Sequence, residues 1–144
     1  MPEKSIQKIM VPIDGSEPAK AAFEQALEYA HIYQAKLYIF SVAADFLRYD
    51  FDDFNLKAHD HELCAYQELL KNYQKEAQEA GITDVTIEAR PGDPRKEILD
   101  FAEEHEIDLI MMGSTGKGVL DRLLIGSVSE YIMIHAACDV FIAK

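Results

Sequence analysis

The densest candidate chemistry in this chain lies in MMGSTGKGVLDRLLIGSVSE, residues 111–130. Two residues separate Gly113 from Gly116, and Gly126-Ser127 follows after nine more. Glycine permits tight bends and lets main-chain N–H groups approach a ligand with no Cβ in the way. An apolar helical pattern starts directly after Gly126, so the unpaired amides and positive dipole end of a helix would face whatever the bend holds. Lys117 and Arg122 add two cations to the intervening stretch, opposed within it by Asp121. Amides, a helix start and basic side chains together are the chemistry of a phosphate site.

A structural alternative uses the same residues. Ser127-Val128-Ser129-Glu130 has the form of a capping box, with Ser127 as N-cap and Glu130 reaching back to it. The stretch is no Walker A loop, because the glycine gap is too short and no Ser or Thr follows Lys117. It does not match the G-x-G-x-x-G dinucleotide fingerprint either.

Overall charge sharpens the question. The 144 residues carry 26 acidic and 14 basic side chains, a formal charge of −12. Such a field repels nucleic acid and anionic membranes, so neither is expected as a partner. An anion site must therefore generate its positive potential locally. The N-terminal residues show no apolar stretch of the signal-peptide type, and no apolar run is long enough to span a bilayer. Cys64 and Cys138 read as reduced packing thiols. These features lead to an expectation of a cytoplasmic protein.

The elements that must position the glycine stretch follow from periodicity. Residues 8–13 (KIMVPI) read as a strand ended by Asp14-Gly15-Ser16, with Ser16 as N-cap of a helix and Pro18 in its first turn. Ala19, Ala22, Phe23, Ala26, Ala30 and Tyr33 form that helix's apolar stripe. Residues 36–42 (KLYIFSV) predict a second strand, and 43–59 an irregular excursion. A long amphipathic helix follows from Leu63 to a stop at Gly81. Val85, Ile87 and Ala89 alternate with polar neighbours, as in a strand near an edge. Asp93-Pro94 starts a helix carrying Ile98, Phe101, Ala102 and His105. Residues 107–112 (IDLIMM) read as a strand buried on both faces, then come a last helix at 127–135 and a strand at 140–143.

Strict β-α alternation predicts a single α/β domain, an open parallel five-stranded sheet with helices on both faces, and the order expected for it is 3-2-1-4-5. Ligands of such sheets lie beyond the carboxyl ends of the strands where the order reverses. With that order the reversal falls between strands one and four, which makes Asp14 and the glycine stretch neighbours.

With these motifs in place, VPIDGS, DLIMMGSTGKG, GSVSEYI and the closing VFIAK together resemble the universal stress protein family over essentially the whole chain, residues 1–144. Gly113-x2-Gly116-x9-Gly126-Ser127 matches that family's ATP-binding pattern in each fixed position. The resemblance implies a Rossmann-like fold of the adenine nucleotide alpha hydrolase type. It implies that Pro12, Asp14 and Val42 line the adenine and ribose side. Met112, Gly113 and Gly116 would hold the ribose and first phosphates, and Gly126, Ser127, Val128 and Ser129 the phosphates beyond, with Lys117 expected among the binding residues as a cation of the intervening stretch. Asp14 has two readings open to it: a ribose or Mg2+ contact, or a turn residue bonding the backbone of Gly15 and Ser16. The resemblance also implies a homodimer joined through the C-terminal strand at Val140, Phe141 and Ile142, whose apolar edge would otherwise invite aggregation.

The function so implied is a nucleotide-sensing regulator of the stress response, in which ATP orders residues 114–125 and an unidentified protein partner reads the result. The alternative is a slow ATPase. No side chain stands out as a base for positioning an attacking water, so no catalytic residue is assigned. A flavin carrier is disfavoured because the glycine stretch follows the fourth strand rather than the first. His59-Asp60-His61-Glu62 reads as a solvated helix start, since neighbours on a helix diverge, and no metal site is assigned. His31, His105 and His135 read as surface or boundary residues.

Overall fold

A computed structural model describes residues 5–43, 53–115 and 125–144, with the backbone alone for 53–60. In chain order the elements are β1 (Lys8–Pro12), α1 (Glu17–Tyr33), β2 (Lys36–Ala43), α2 (Asp53–Glu79), β3 (Val85–Pro91), α3 (Pro94–Glu104), β4 (Leu109–Gly113), α4 (Ser127–His135) and β5 (Asp139–Ala143). All strand pairs are parallel, in the order β3-β2-β1-β4-β5. This is the expected doubly wound, Rossmann-like sheet.

Alternation along the central strands builds two cores. Ile9, Val11, Leu37, Ile39 and Met111 point to one face, where they pack with Phe23 of α1 and Leu70 of α2. Met10, Tyr38, Phe40, Ile110 and Met112 point to the other, against Ile98 and Phe101 of α3 and Ile132 of α4. Each strand residue changes face with its neighbour, so burying both faces makes the whole run apolar. All five residues of β4 are buried accordingly.

Helix starts follow local chemistry. Ser16 caps α1, its Oγ accepting from Ala19 N–H at 3.3 Å, and Asp93 caps α3, accepting from Arg95 N–H at 3.0 Å. Helix α2 departs from the expectation: it begins at Asp53, well inside the stretch read as irregular, so the His59–Glu62 tetrad lies within the helix rather than at its start. Leu56, Lys57, Ala58 and Glu62 are good helix formers, and the surrounding aspartates obscured that run. Residues 44–52, the rest of the excursion, lie outside the described residues.

Candidate functional site

Site geometry begins with how the strands part. The β1–β2 ladder runs as far as Pro12 opposite Phe40, and the β4–β5 ladder as far as Gly113 opposite Ala143. Between β1 and β4 the pairing comprises only Ile9 with Leu109 and Met10 with Ile110. The sheet therefore splits at its carboxyl edge between residues 11–13 and 111–113. That split coincides with the reversal of strand order, where ligands of open α/β sheets bind.

Each wall of the split is fixed by its own neighbours. On the β1 side, Ile13 N–H donates to Phe40 O at 2.7 Å, and the buried Ser41 hydroxyl donates to Ile13 O at 2.6 Å. On the β4 side, Ser114 N–H continues the ladder by donating to Ala143 O at 2.7 Å. Gly126 N–H then donates to Ser114 O at 2.6 Å, which brings the start of α4 back to the end of β4.

Gly113 has a steric reason to be glycine. A Cβ there would lie 2.6 Å from the Pro18 carbonyl carbon and 2.8 Å from the Ala19 nitrogen, in the first turn of α1. Main chain packs on main chain at this point. The end of β4 thus lies against the start of α1 and, through Gly126, beside the start of α4.

The start of α4 corrects one reading. The N-cap is Gly126, not Ser127, and among the described residues no side chain caps the helix. The expected capping box is therefore not formed, because the Gly126–Ser114 bond brings the chain into the helix one residue earlier. Ser127 becomes the first helical residue and is exposed. The ladder opens with Glu130 N–H donating to Gly126 O at 2.9 Å, so the amides of Ser127, Val128 and Ser129 precede it. This is anion-binding chemistry by backbone dipole.

Ser129 is 4% exposed, and its hydroxyl donates to Gly113 O at 2.7 Å. That hydroxyl ties α4 to β4, leaving the main chain as the route by which Ser129 would meet an anion. Removing the hydroxyl strands a buried carbonyl, which costs about 1–3 kcal/mol. Ser129→Ala is therefore expected to lower unfolding stability by about 1.5 kcal/mol, while Ser127→Ala stays within about 0.5 kcal/mol. Urea titration of both variants checks the contrast.

Among the other expected site residues, Pro12 ends β1 half-buried, and Val42 lies on β2 opposite Arg90 of β3. Val42, Met112 and Val128 all join the core on the α3–α4 face, so three expected contact residues share one side of the sheet. Asp14 accepts Ser16 N–H at 2.9 Å through Oδ1. Its turn role is therefore realised, with Gly15 at φ +86° completing the bend into α1. Gly116 and Lys117 lie outside the described residues, as do Asp121 and Arg122.

Sequence patterning missed a cluster beside this edge. Arg90 is the penultimate residue of β3, with its guanidinium 5.6 Å from the Phe40 ring centre and 5.3 Å from that of Phe101. It pairs with Glu88, with Glu104 at 2.6 Å and with Glu97 at 3.7 Å. The hydrogen bond to Glu104 holds Arg90 above its usual pKa and Glu104 below its own. Arg90 is one of the polar neighbours, with Thr86 and Glu88, that alternate with Val85, Ile87 and Ala89. Its spacing from Glu97 and Glu104, seven residues apart on the next helix, was the available signal.

A doubly wound parallel sheet, split at its switch point beside the start of α4, makes this an open α/β domain. The chain belongs to the universal stress protein family, whose model matches residues 5–144. A putative universal stress protein of Staphylococcus haemolyticus is 34% identical over 139 residues, 96% of this chain and 84% of the relative. The solved universal stress protein UspA from Lactobacillus plantarum superposes with a TM-score of 0.90 at 29% identity, covering 99% of this chain and 100% of that one. A universal stress protein solved in complex with cAMP shares the fold with a TM-score of 0.75 at 24% identity, covering 98% of this chain and 99% of that one.

Proposed function

We propose that this chain binds ATP across the split between β1 and β4 and works as a nucleotide-sensing regulator rather than a fast enzyme. The observation carrying this reading is the start of α4, where the amides of Ser127, Val128 and Ser129 precede the helix ladder and, among the described residues, no side chain caps them. An anionic protein that binds a polyphosphate needs a fixed positive surface of this kind. The Gly113-x2-Gly116-x9-Gly126-Ser127 spacing supports a triphosphate chain along it, and capture of cAMP by a protein of the same fold supports an adenosine ligand. Pro12, Asp14 and Val42 stand at strand ends suited to the base and ribose. Asp14 is the residue suited to reach a Mg2+ accompanying the phosphates.

The regulator is proposed to be cytoplasmic and homodimeric. No helix among the described residues is long and apolar enough to cross a membrane, and Cys64 and Cys138 form no disulfide. For the dimer, β5 is an outer strand whose Val140, Phe141 and Ile142 are half-buried, with Met133 and Ile134 exposed on the helix leading into it. Antiparallel pairing of two such edges would cover them.

The test exploits the backbone at Gly126. Its φ of −64° is open to any residue, so Gly126→Val should fold while placing a branched side chain where phosphates approach. Isothermal titration with ATP is expected to show at least about a tenfold loss of affinity, with near-unchanged circular dichroism. Equal ATP affinity in both proteins would contradict the proposed mode. Phosphate release at many turnovers per second would instead favour an enzyme.

A further inference from the structure

We infer that Arg95, which carries no assigned role, is the side-chain cation for the outer phosphates of the bound nucleotide and sets the preference for triphosphate over monophosphate. The inference rests on the proposed ATP site and adds a residue to it.

Placement comes first. Arg95 stands in the first turn of α3, immediately after the carboxyl end of β3, so it belongs to the same edge of the sheet as the split. Helices α3 and α4 cover the same face, the one to which Val42, Met112 and Val128 contribute. Arg95 crosses between the helices: its guanidinium carbon lies 5.8 Å from the centre of the Tyr131 ring on α4. The Tyr131 ring stacks on His135, one turn further along α4, at 4.0 Å between ring centres. Arg95 thus reaches α4 at Tyr131, one turn beyond the residues whose amides open the helix.

Availability comes second. Three cations follow one another at this edge, and two are neutralised locally. Arg90 is held by Glu104 at 2.6 Å, and Lys96 by Asp100 at 2.7 Å. For Arg95 the contact is Asp93 at 3.5 Å, at the outer limit of a hydrogen bond. The Asp93 oxygen involved already accepts Arg95 N–H at 3.0 Å as the helix cap. Arg95 is also half exposed, at 50%. A phosphate oxygen offers this planar fork a charge-assisted, bidentate partner that Asp93 does not. Amides at a helix start can hold a monophosphate alone, whereas added phosphates bring charge that asks for a cation. The expected signature is therefore selective loss of triphosphate binding.

Titration calorimetry with ATP and AMP on wild type, Arg95→Ala, Arg95→Lys and Tyr131→Leu tests this, with Gly126→Val as the control for the site itself. Arg95→Ala should weaken ATP about tenfold and leave AMP within about twofold. Arg95→Lys should recover part of the ATP affinity, and Tyr131→Leu should fall between wild type and Arg95→Ala because the charge stays but its rest is gone. Melting temperatures of the Arg95 variants should stay near wild type, since the side chain is half exposed. If ATP binds wild type and is lost in Gly126→Val, yet Arg95→Ala keeps the wild-type ATP-to-AMP ratio, the Arg95 role is overturned and the site stands. If wild type binds neither nucleotide, both readings fall together.

Discussion

Gly113→Ala is expected to destabilise the protein by about 3 kcal/mol, the upper part of the usual range for forcing an extra methyl group into a packed interior. The reason is the identity of the atoms in the way. The new Cβ would meet the Pro18 carbonyl carbon at 2.6 Å and the Ala19 nitrogen at 2.8 Å, main-chain atoms of the first turn of α1. A side chain could change rotamer, but a helix start can only move as a body. Three groups are fixed there: Ala19 N–H bonds Ser16 Oγ, Ser16 N–H bonds Asp14, and Gly113 O receives the Ser129 hydroxyl. Moving α1 away from β4 therefore disturbs Asp14 on one wall of the split and α4 on the other. Denaturant melts should show the midpoint shift, and ATP titration of the folded fraction should show weakened binding. A stability change below about 1 kcal/mol would mean that the close contact between β4 and α1 relaxes cheaply.

Arg90→Ala is expected to cost about 2 kcal/mol at neutral pH. The change removes a stem lying on Phe40 and Phe101, and it leaves Glu88, Glu97 and Glu104 facing one another without their cation. Breaking one partner of a partly buried ion pair costs more than the pair itself contributes, which is why the penalty exceeds that of a surface bridge. The effect carries a pH signature. The Arg90 hydrogen bond lowers the pKa of Glu104 from its ordinary 4.5. A carboxyl with a depressed folded pKa contributes stability above its unfolded pKa and loses it as the pH falls through the folded value. The gap between wild type and Arg90→Ala should thus be full at pH 7 and shrink once the pH drops below about 4.5. Urea midpoints measured from pH 7 to pH 3 check this. A gap that stays constant over that range would assign the loss to packing of the arginine stem alone.

How much of this was legible in the sequence depended on whether a signal was local. Strand β4 could be read because LIMMG is apolar at every position, which only a strand covered on both faces requires. Strands β1 and β2 were legible for the same reason, and Ser16 and Asp93 act locally as caps, so both helix starts were placed correctly. βα alternation and crossover handedness made the sheet parallel but left its order open; order 3-2-1-4-5 was supposed, and the strand pairing has it. What escaped detection was set by contacts between distant residues. Ser127 looks like an N-cap from its neighbours, but the bond from Gly126 to Ser114 moves the helix start by one residue. Ser129 looks like a free hydroxyl until Gly113 O is found opposite it. Arg95 gave no sign of interest because its partner, Tyr131, lies on another helix. In the candidate site, the strand ends and glycines were visible, whereas the commitments of individual polar groups were not.

The central claim is that main-chain amides at the start of α4 receive the phosphates of a nucleotide. Amide chemical-shift mapping of the isotope-labelled protein during ATP titration tests it most directly. The account predicts saturable shifts that are largest for the amides of Ser127, Val128 and Ser129, with the turns after α1 and α2, at Gln34 and Gly81, unmoved. Shifts concentrated at those turns, or none at the start of α4 under saturating ATP, would contradict it.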